Sequence, residues 1–425
     1  MKGVRVLMTY AEKVLDEIEK GNYEEARKHF GWSLRKDSDD MIYSLAEELY
    51  SLGFSNMAKR AYQTLLERYP DEDSLKTALA DIAISEGEDD EALEYLSSIT
   101  PDSEAYLQAL LVSADLYQTQ GMFEVSEQKL LQALDLAPDE EIIRFALAEL
   151  YYNIKQYKQA IPIYLDLIKQ GNFSISQVNL VQRLGMSYAL SGQFEKALAY
   201  LEQIHSEERD DDTQFQLGIT QYELGHIEDA ISSFEKLRDT SPDYATTYSY
   251  LAVAYEKEGQ LQKALTTLQE GIAVDEYNIK LYQKASELAA KLGQRDEAER
   301  YLLIALDQEP DNLTIVIMLS NLLIEYGKFE QNIELLTDYL DQDEIDPQLY
   351  WNLGRSYANL DNYDDAIKYY DAASEQISSL EFLKDAAIFY RNAGDRQKAK
   401  MFVDEYLASQ PNDSEMLELQ DELLY

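Results

Sequence analysis

The side chains that most often carry covalent or metal chemistry are scarce in this sequence. Cysteine is absent, which removes thiol nucleophiles, disulfides and zinc–thiolate sites together. The three histidines, His29, His205 and His226, have no second histidine at metal-ligand spacing. No glycine-rich phosphate loop and no nucleophile elbow occurs. We therefore expect no catalytic residue, no bound metal and no cofactor.

The charged residues of the chain are predominantly acidic. Asp and Glu number 81 against 37 Lys and Arg, a formal net charge of -44 over 425 residues. Nucleic acids and anionic membrane surfaces both require a positive face, so neither is an expected partner. No apolar run approaches the ~20 residues of a membrane span, and no signal-peptide core is present. We expect a cytoplasmic protein with a protein or peptide partner and no membrane insertion, and the sequence leaves the oligomeric state open.

The sequence repeats with a period close to 34 residues, and this repeat must position any binding residues. Each repeat is counted from one reference position, which recurs twelve times and is called the phase origin. Alanine lies five residues after this position in ten of the twelve repeats, and proline lies seventeen residues after it in five. Glycine occupies ten phases, and Lys155 and Asp361 occupy the other two. The glycines are Gly21, Gly53, Gly87, Gly121, Gly192, Gly225, Gly259, Gly293, Gly327 and Gly394.

Each repeat predicts two amphipathic helices joined by a tight turn. Apolar residues recur at spacings of three, four and seven on both sides of the glycine. Glycine ends the first helix because a left-handed C-cap costs it no Cβ strain, and proline ends the second because it cannot continue a helix. The small alanine lets the two helices approach closely. Neighbouring repeats must stack, since one repeat cannot bury its apolar face alone.

This pattern resembles the tetratricopeptide repeat (TPR) family, over about residues 7 to 411, and is similar to long acidic cytosolic TPR proteins of Gram-positive bacteria. The resemblance implies an all-α, right-handed superhelical solenoid of about twelve helix-turn-helix repeats with a C-terminal capping helix. We expect an N-terminal extension over 1–6, arrays of about five repeats over 7–171 and about seven over 172–411, and the cap over 412–425. The long spacing through 172–176 and the polar run over 205–212 are the candidate joints.

In the TPR family the first helices of the repeats line a concave groove that holds a peptide or a partner helix. The resemblance implies groove-facing positions ten, six and three residues before the turn, and one turn earlier Lys280 and Lys284 share that helix face. The expected partner-binding residues of the N-terminal array are Tyr43, Glu47, Tyr50, Asp81, Asp115, Phe145, Glu149 and Tyr152. Those of the C-terminal array are Lys280, Lys284, Asn321, Trp351, Asn352, Arg355, Lys384 and Arg391.

These two sets predict a groove of two polarities. Carboxylates with aromatic rings suit a basic segment in the N-terminal array, whereas cations suit an acidic segment in the C-terminal array. The leading hypothesis is a non-enzymatic scaffold that binds a peptide segment or a partner helix in this groove. The alternative is a peptide-sensing regulatory adaptor that acts on a separate effector chain. An enzyme is disfavoured because the repeats leave no sequence for a catalytic domain.

Overall fold

The computed structural model describes residues 8–340 and 346–424, so the extension expected over residues 1–6 lies outside the described residues. Over the described ranges the chain forms 25 α-helices and one two-stranded hairpin. It divides into two compact units, with the division between Arg209 and Asp210.

The first unit contains twelve helices and the hairpin within its described residues. They are α1 (Tyr10–Glu19), α2 (Tyr23–Lys36), α3 (Asp39–Ser51), α4 (Ser55–Arg68), α5 (Asp73–Glu86), α6 (Asp89–Ser97), α7 (Tyr106–Thr119), α8 (Phe123–Leu136), α9 (Glu141–Asn153), α10 (Tyr157–Lys169), β1 (Ser174–Ile175), β2 (Val178–Asn179), α11 (Leu180–Leu190) and α12 (Phe194–Leu201).

The second unit contains thirteen helices within the part that the structure describes. They are α13 (Asp211–Glu223), α14 (Ile227–Thr240), α15 (Thr246–Lys257), α16 (Leu261–Val274), α17 (Ile279–Lys291), α18 (Arg295–Gln308), α19 (Leu313–Glu325), α20 (Phe329–Thr337), α21 (Pro347–Asn359), α22 (Tyr363–Ser374), α23 (Leu380–Asn392), α24 (Arg396–Ser409) and α25 (Ser414–Leu424). Twelve helix pairs and a final helix over the described ranges confirm the expected all-α repeat architecture.

The turn inside each pair has the geometry that the glycine period predicts. Gly53 has a φ of 81°, in the left-handed region where a Cβ is strained. Its amide donates to the Tyr50 carbonyl at 3.0 Å, and the Phe54 amide donates to the Leu49 carbonyl at 2.8 Å. These bonds satisfy the last carbonyls of α3. Lys155 has a φ of 62°, so a phase without glycine keeps the same turn.

Small residues bring the two helices of a pair together. The alanines five residues after the turn are at most 2% exposed. A Cβ added at Gly218 on α13 would lie 2.5 Å from Phe234 Cε1, and one added at Gly354 on α21 would lie 2.8 Å from Tyr370 Cδ2. Both aromatic rings belong to the second helix of the same pair. The predicted close approach is therefore confirmed at both positions.

The long spacing after α10 forms the hairpin of β1 and β2. Ser174 pairs with Asn179 and Ile175 pairs with Val178 in an antiparallel register. Ser176 and Gln177 form its turn with positive φ values of 49° and 66°. The sequence indicated only a longer connection here, because neither turn residue is the glycine or asparagine that favours such a turn.

The division between the compact units coincides with the polar run over 205–212. Six helix pairs precede the division and six follow it in the described residues. The array boundary expected at residues 171 and 172 lies inside the first unit, at the start of the hairpin connection. A joint at that point stays a prediction.

Candidate functional site

Four of the residues expected to bind a partner line one pocket in the first unit. Tyr43, Glu47 and Tyr50 share one face of α3 because they are spaced by four and three residues. Asp81 on α5 follows Glu47 by one period, and Tyr62 on α4 also contributes to the lining. The pocket has a volume of about 430 Å³. These five residues define the tyrosine–carboxylate pocket.

The tyrosine rings form walls of this pocket, and one tyrosine hydroxyl makes no hydrogen bond to a described residue. The rings of Tyr43 and Tyr62 meet edge to face, with centroids 5.6 Å apart. The Tyr50 hydroxyl lies 3.4 Å from the Asp81 carbonyl oxygen and donates to it. Tyr62 is only 3% exposed, and its hydroxyl makes no hydrogen bond to any residue that the structure describes. This hydroxyl oxygen is not fully buried, so a polar group of a ligand in the pocket can reach it.

Carboxylates without cationic partners occupy the same phase of three successive repeats. Glu47, Asp81 and Asp115 form no ion pair with any described residue. Burial raises the pKa of Asp81 above its usual value, and the nearby Asp115 raises it further. Burial also raises the pKa of Asp115. The side chains of Ala78 and Val112, which also line the pocket, offer no positive charge. A cation of external origin would satisfy these carboxylates. The three residues are named the carboxylate ladder.

The other expected pair of the first unit, Glu149 and Tyr152, already holds a cation of the chain. Arg183 on α11 donates from Nε to Glu149 Oε1 at 3.1 Å, and its Nη2 lies 3.1 Å from Oε2. The guanidinium carbon is 4.4 Å from the centroid of the Tyr152 ring. The Tyr164 hydroxyl also donates to Glu149. Sequence reasoning missed Arg183, although its phase nine residues before Gly192 placed it beside this pair.

Most of the cations expected in the second unit are paired with its own carboxylates. Lys284 lies 2.9 Å from a glutamate of α15. Lys384 and Arg391 lie 2.7 Å and 3.4 Å from glutamates of α25. Hydrogen bonds to Glu415 and Asp413 raise the pKa of Lys384. The two that form no ion pair with a described residue are Lys280 and Arg355.

Three expected contact residues lie inside the packing of the repeats. Phe145 and Trp351 are 7% and 9% exposed, and Asn352 is fully buried. Trp351 Nε1 donates to Asp385 at 2.6 Å, and Asn352 donates to the Asn321 side chain at 3.0 Å. Trp351 is thus held by the following repeat and Asn352 by the preceding one, contacts that the spacing within one helix does not reveal. The binding proposed below does not depend on these three side chains.

Among the described residues, no group of three or more His, Asp or Glu side chains is arranged to hold a metal ion. No helix in the described ranges is long and apolar enough to cross a membrane.

Helix pairs that recur every 34 residues and close through a left-handed turn define the tetratricopeptide repeat class, whose members act as protein-interaction scaffolds. Models of the YpiA-like tetratricopeptide repeats match residues 118–172, and models of the YpiA-like C-terminal repeats match residues 347–413. The TPR repeat-containing protein YpiA of Bacillus subtilis is 32% identical over 97% of this chain and 99% of its own length. The chain belongs to the YpiA-like family of tetratricopeptide repeat proteins, which confirms the resemblance inferred from the repeat.

Other similarities cover less of the chain or are more distant. A TPR repeat-containing protein of Methanocaldococcus jannaschii is 24% identical over 54% of this chain and 40% of its own. The solved structure of the APC/C hetero-tetramer Cut9–Hcn1 covers 98% of this chain and 96% of its own at 14% identity, with a TM-score of 0.40. YrrB, described as a TPR protein with an unusual peptide-binding site, covers 44% of this chain and 97% of its own at 21% identity, with a TM-score of 0.36.

Proposed function

We propose that this protein is a non-enzymatic scaffold that binds a basic segment of a partner protein along the first helices of its first unit. The observation that carries the proposal is the carboxylate ladder, Glu47, Asp81 and Asp115, which has no cation among the described residues. Asp81 is partly buried, and a partly buried carboxylate attracts cations more strongly than a fully solvated one, because less water screens it. The neighbouring tyrosines offer faces for the apolar stems of lysine and arginine.

The proposal is tested with displayed random peptides selected on the immobilised full chain. We expect the selected peptides to be enriched in lysine and arginine. A variant with Glu47→Lys, Asp81→Lys and Asp115→Lys should lose this enrichment. The matched control reverses three exposed carboxylates on second helices that form no ion pair with a described residue, Glu67, Glu124 and Asp135, and so changes the net charge equally. It should select the same peptides as the unmodified protein.

Two results would contradict the proposal. One is a selection in which the unmodified protein enriches no basic peptide. The other is equal loss of binding in both triple variants, which would assign the effect to net charge alone. The companion prediction, an acidic segment in the second unit, depends on Lys280 and Arg355, which keep their charges unpaired among the described residues.

A further inference from the structure

The tyrosine–carboxylate pocket has a second copy in the same unit. Three of its residues recur 102 positions later, from 47 to 149, which is three periods of 34 residues. The pairs are Glu47 and Glu149, Tyr50 and Tyr152, and Tyr62 and Tyr164. Each pair occupies the same helix face in its repeat, so the two sites present the same groups.

The second copy shows what these groups hold. Its glutamate binds both Nε and Nη2 of Arg183, and its tyrosine lies against the guanidinium plane, with 4.4 Å between the guanidinium carbon and the ring centroid. The third group, the Tyr164 hydroxyl, donates to the same glutamate. The arrangement matches a planar, forked cation with a stacking surface, which an ammonium group does not offer.

In the first copy the chain does not supply this cation. Arg183 lies nine residues before Gly192, and the residue nine before Gly87 is Ala78. A residue nine before its turn faces the residue six before the turn of the preceding repeat. Asn352 and Asn321 occupy these two positions in the second unit, and their side chains hydrogen-bond at 3.0 Å. Ala78 therefore faces Glu47, and both line the pocket of about 430 Å³.

We infer that the tyrosine–carboxylate pocket binds the guanidinium of an arginine side chain from a partner protein segment. The guanidinium pairs with Glu47 and stacks on Tyr50, as the arginine of the second copy does with its glutamate and tyrosine. Asp81 adds a second carboxylate, where the second copy has Met186 at that phase. Ala78 and Val112 contact the apolar stem of the arginine. The inference rests on the proposed function and names the side chain that the first unit recognises.

The probe is an acetylated and amidated peptide of glycine and leucine with one central arginine, titrated into the full chain by calorimetry. Matched peptides carry lysine or citrulline at the centre. We expect arginine to bind about threefold or more tightly than lysine, from stacking. Citrulline keeps the shape but has no charge, so it should not bind measurably. Glu47→Gln should weaken arginine binding at least about tenfold, because a charged hydrogen bond is lost.

Ala78→Arg places the arginine of the second copy in the first copy. We expect it to abolish peptide binding, because its own guanidinium occupies the pocket, and to keep the melting temperature at or above that of the unmodified protein. Gln63→Arg adds the same charge at an exposed residue of α4 outside the pocket lining and is the matched control, with affinity within about twofold. Arg183→Ala empties the second copy, so the number of arginine peptides bound per chain should rise by one.

An Ala78→Arg variant with unchanged helicity and unchanged peptide affinity would overturn the inference. Equal binding of the arginine, lysine and citrulline peptides would do so as well. If Ala78→Arg loses its helical signal, Glu47→Gln decides, since Glu47 is exposed and its substitution leaves the packing intact. Failure of this inference alone leaves basic peptides bound through the carboxylate ladder without a preference for arginine. When no basic peptide binds the unmodified protein, the proposed function fails too.

Discussion

Adding one methyl group at Gly218 tests whether close approach of the paired helices stabilises the repeats. In Gly218→Ala, the new Cβ would lie 2.5 Å from Phe234 Cε1 and 2.8 Å from Cδ1. Carbon atoms in good contact are about 3.5–4.0 Å apart, so the ring or a helix must move by about 1 Å. Phe234 is fully buried, so its ring has no solvent to move into.

Two opposing contributions set the size of the effect. Overpacking of a tight core costs about 1–3 kcal/mol. Alanine inside a helix is about 0.5–1 kcal/mol more favourable than glycine. We therefore expect Gly218→Ala to lower the free energy of unfolding by about 1 kcal/mol, the difference between the midpoints of these two ranges. Gly31 on α2 is the matched control, since no described atom beyond its chain neighbours and the local helix backbone lies within 4 Å of its added Cβ. Gly31→Ala should keep only the gain, about 0.5–1 kcal/mol.

The two variants are compared by urea unfolding with far-ultraviolet circular dichroism and by hydrogen exchange. Exchange is needed because a repeat array does not have to unfold in one step. We expect faster exchange in α13 and α14 for Gly218→Ala and slower exchange in α2 for Gly31→Ala. The reasoning is refuted if Gly218→Ala is as stable as the unmodified protein or more stable, as Gly31→Ala should be.

Three further predictions follow from the same structure. Ala264→Leu adds volume at a fully buried contact and should cost about 1–3 kcal/mol, so an unchanged melting temperature would show that the repeat phase is wrong. A glutamate-specific protease should cleave first after the exposed Glu207 or Glu208, at the end of the first compact unit, and first cuts confined to the terminal helices would count against this. Because the pKa values of Asp81 and Asp115 are raised in the fold, the folded chain takes up protons there at higher pH than the unfolded chain. Binding of the arginine peptide should therefore weaken as the pH falls toward these raised pKa values, which lie above the ordinary pKa of 3.8. An affinity that stays constant from neutral pH down to pH 4 would contradict this prediction.

Local patterns predicted the fold well because each repeat contains the residues that end its own helices. The phase of Gly53 and Lys155 fixed the turns, and the prolines stand two residues after the ends of α4, α8, α14, α18 and α24. These signals act within a few residues of the chain, where φ restrictions and missing amide donors decide the outcome. The hairpin escaped prediction because Ser176 and Gln177 adopt positive φ without the usual residue types.

The candidate site was harder to predict because the neighbouring repeat decides whether its side chains are covered, paired or open. The spacing within α3 correctly brought Tyr43, Glu47 and Tyr50 to one pocket. It did not show that the following repeat covers Trp351, or that α25 supplies carboxylates to Lys384. Such contacts join residues about one period apart, and one helix viewed alone contains no information about them. A comparison of equal phases in consecutive repeats would have supplied it.

A repeat array can turn one arrangement of side chains into either a structural contact or an open binding site. Glu149 with Arg183 forms an ion pair within the chain, whereas Glu47 lines the pocket with Ala78 and has no ion-pair partner among the described residues. The desolvated carboxylate of Asp81 beside Glu47 works against folding at neutral pH, because the folded state holds it in a less polar setting than the unfolded chain does. Stability in such an array is shared among neighbouring repeats, so one repeat can carry this cost while the others offset it. Since a positive charge at position 78 would relieve the cost, the alanine there is the feature that leaves the carboxylates available to another chain.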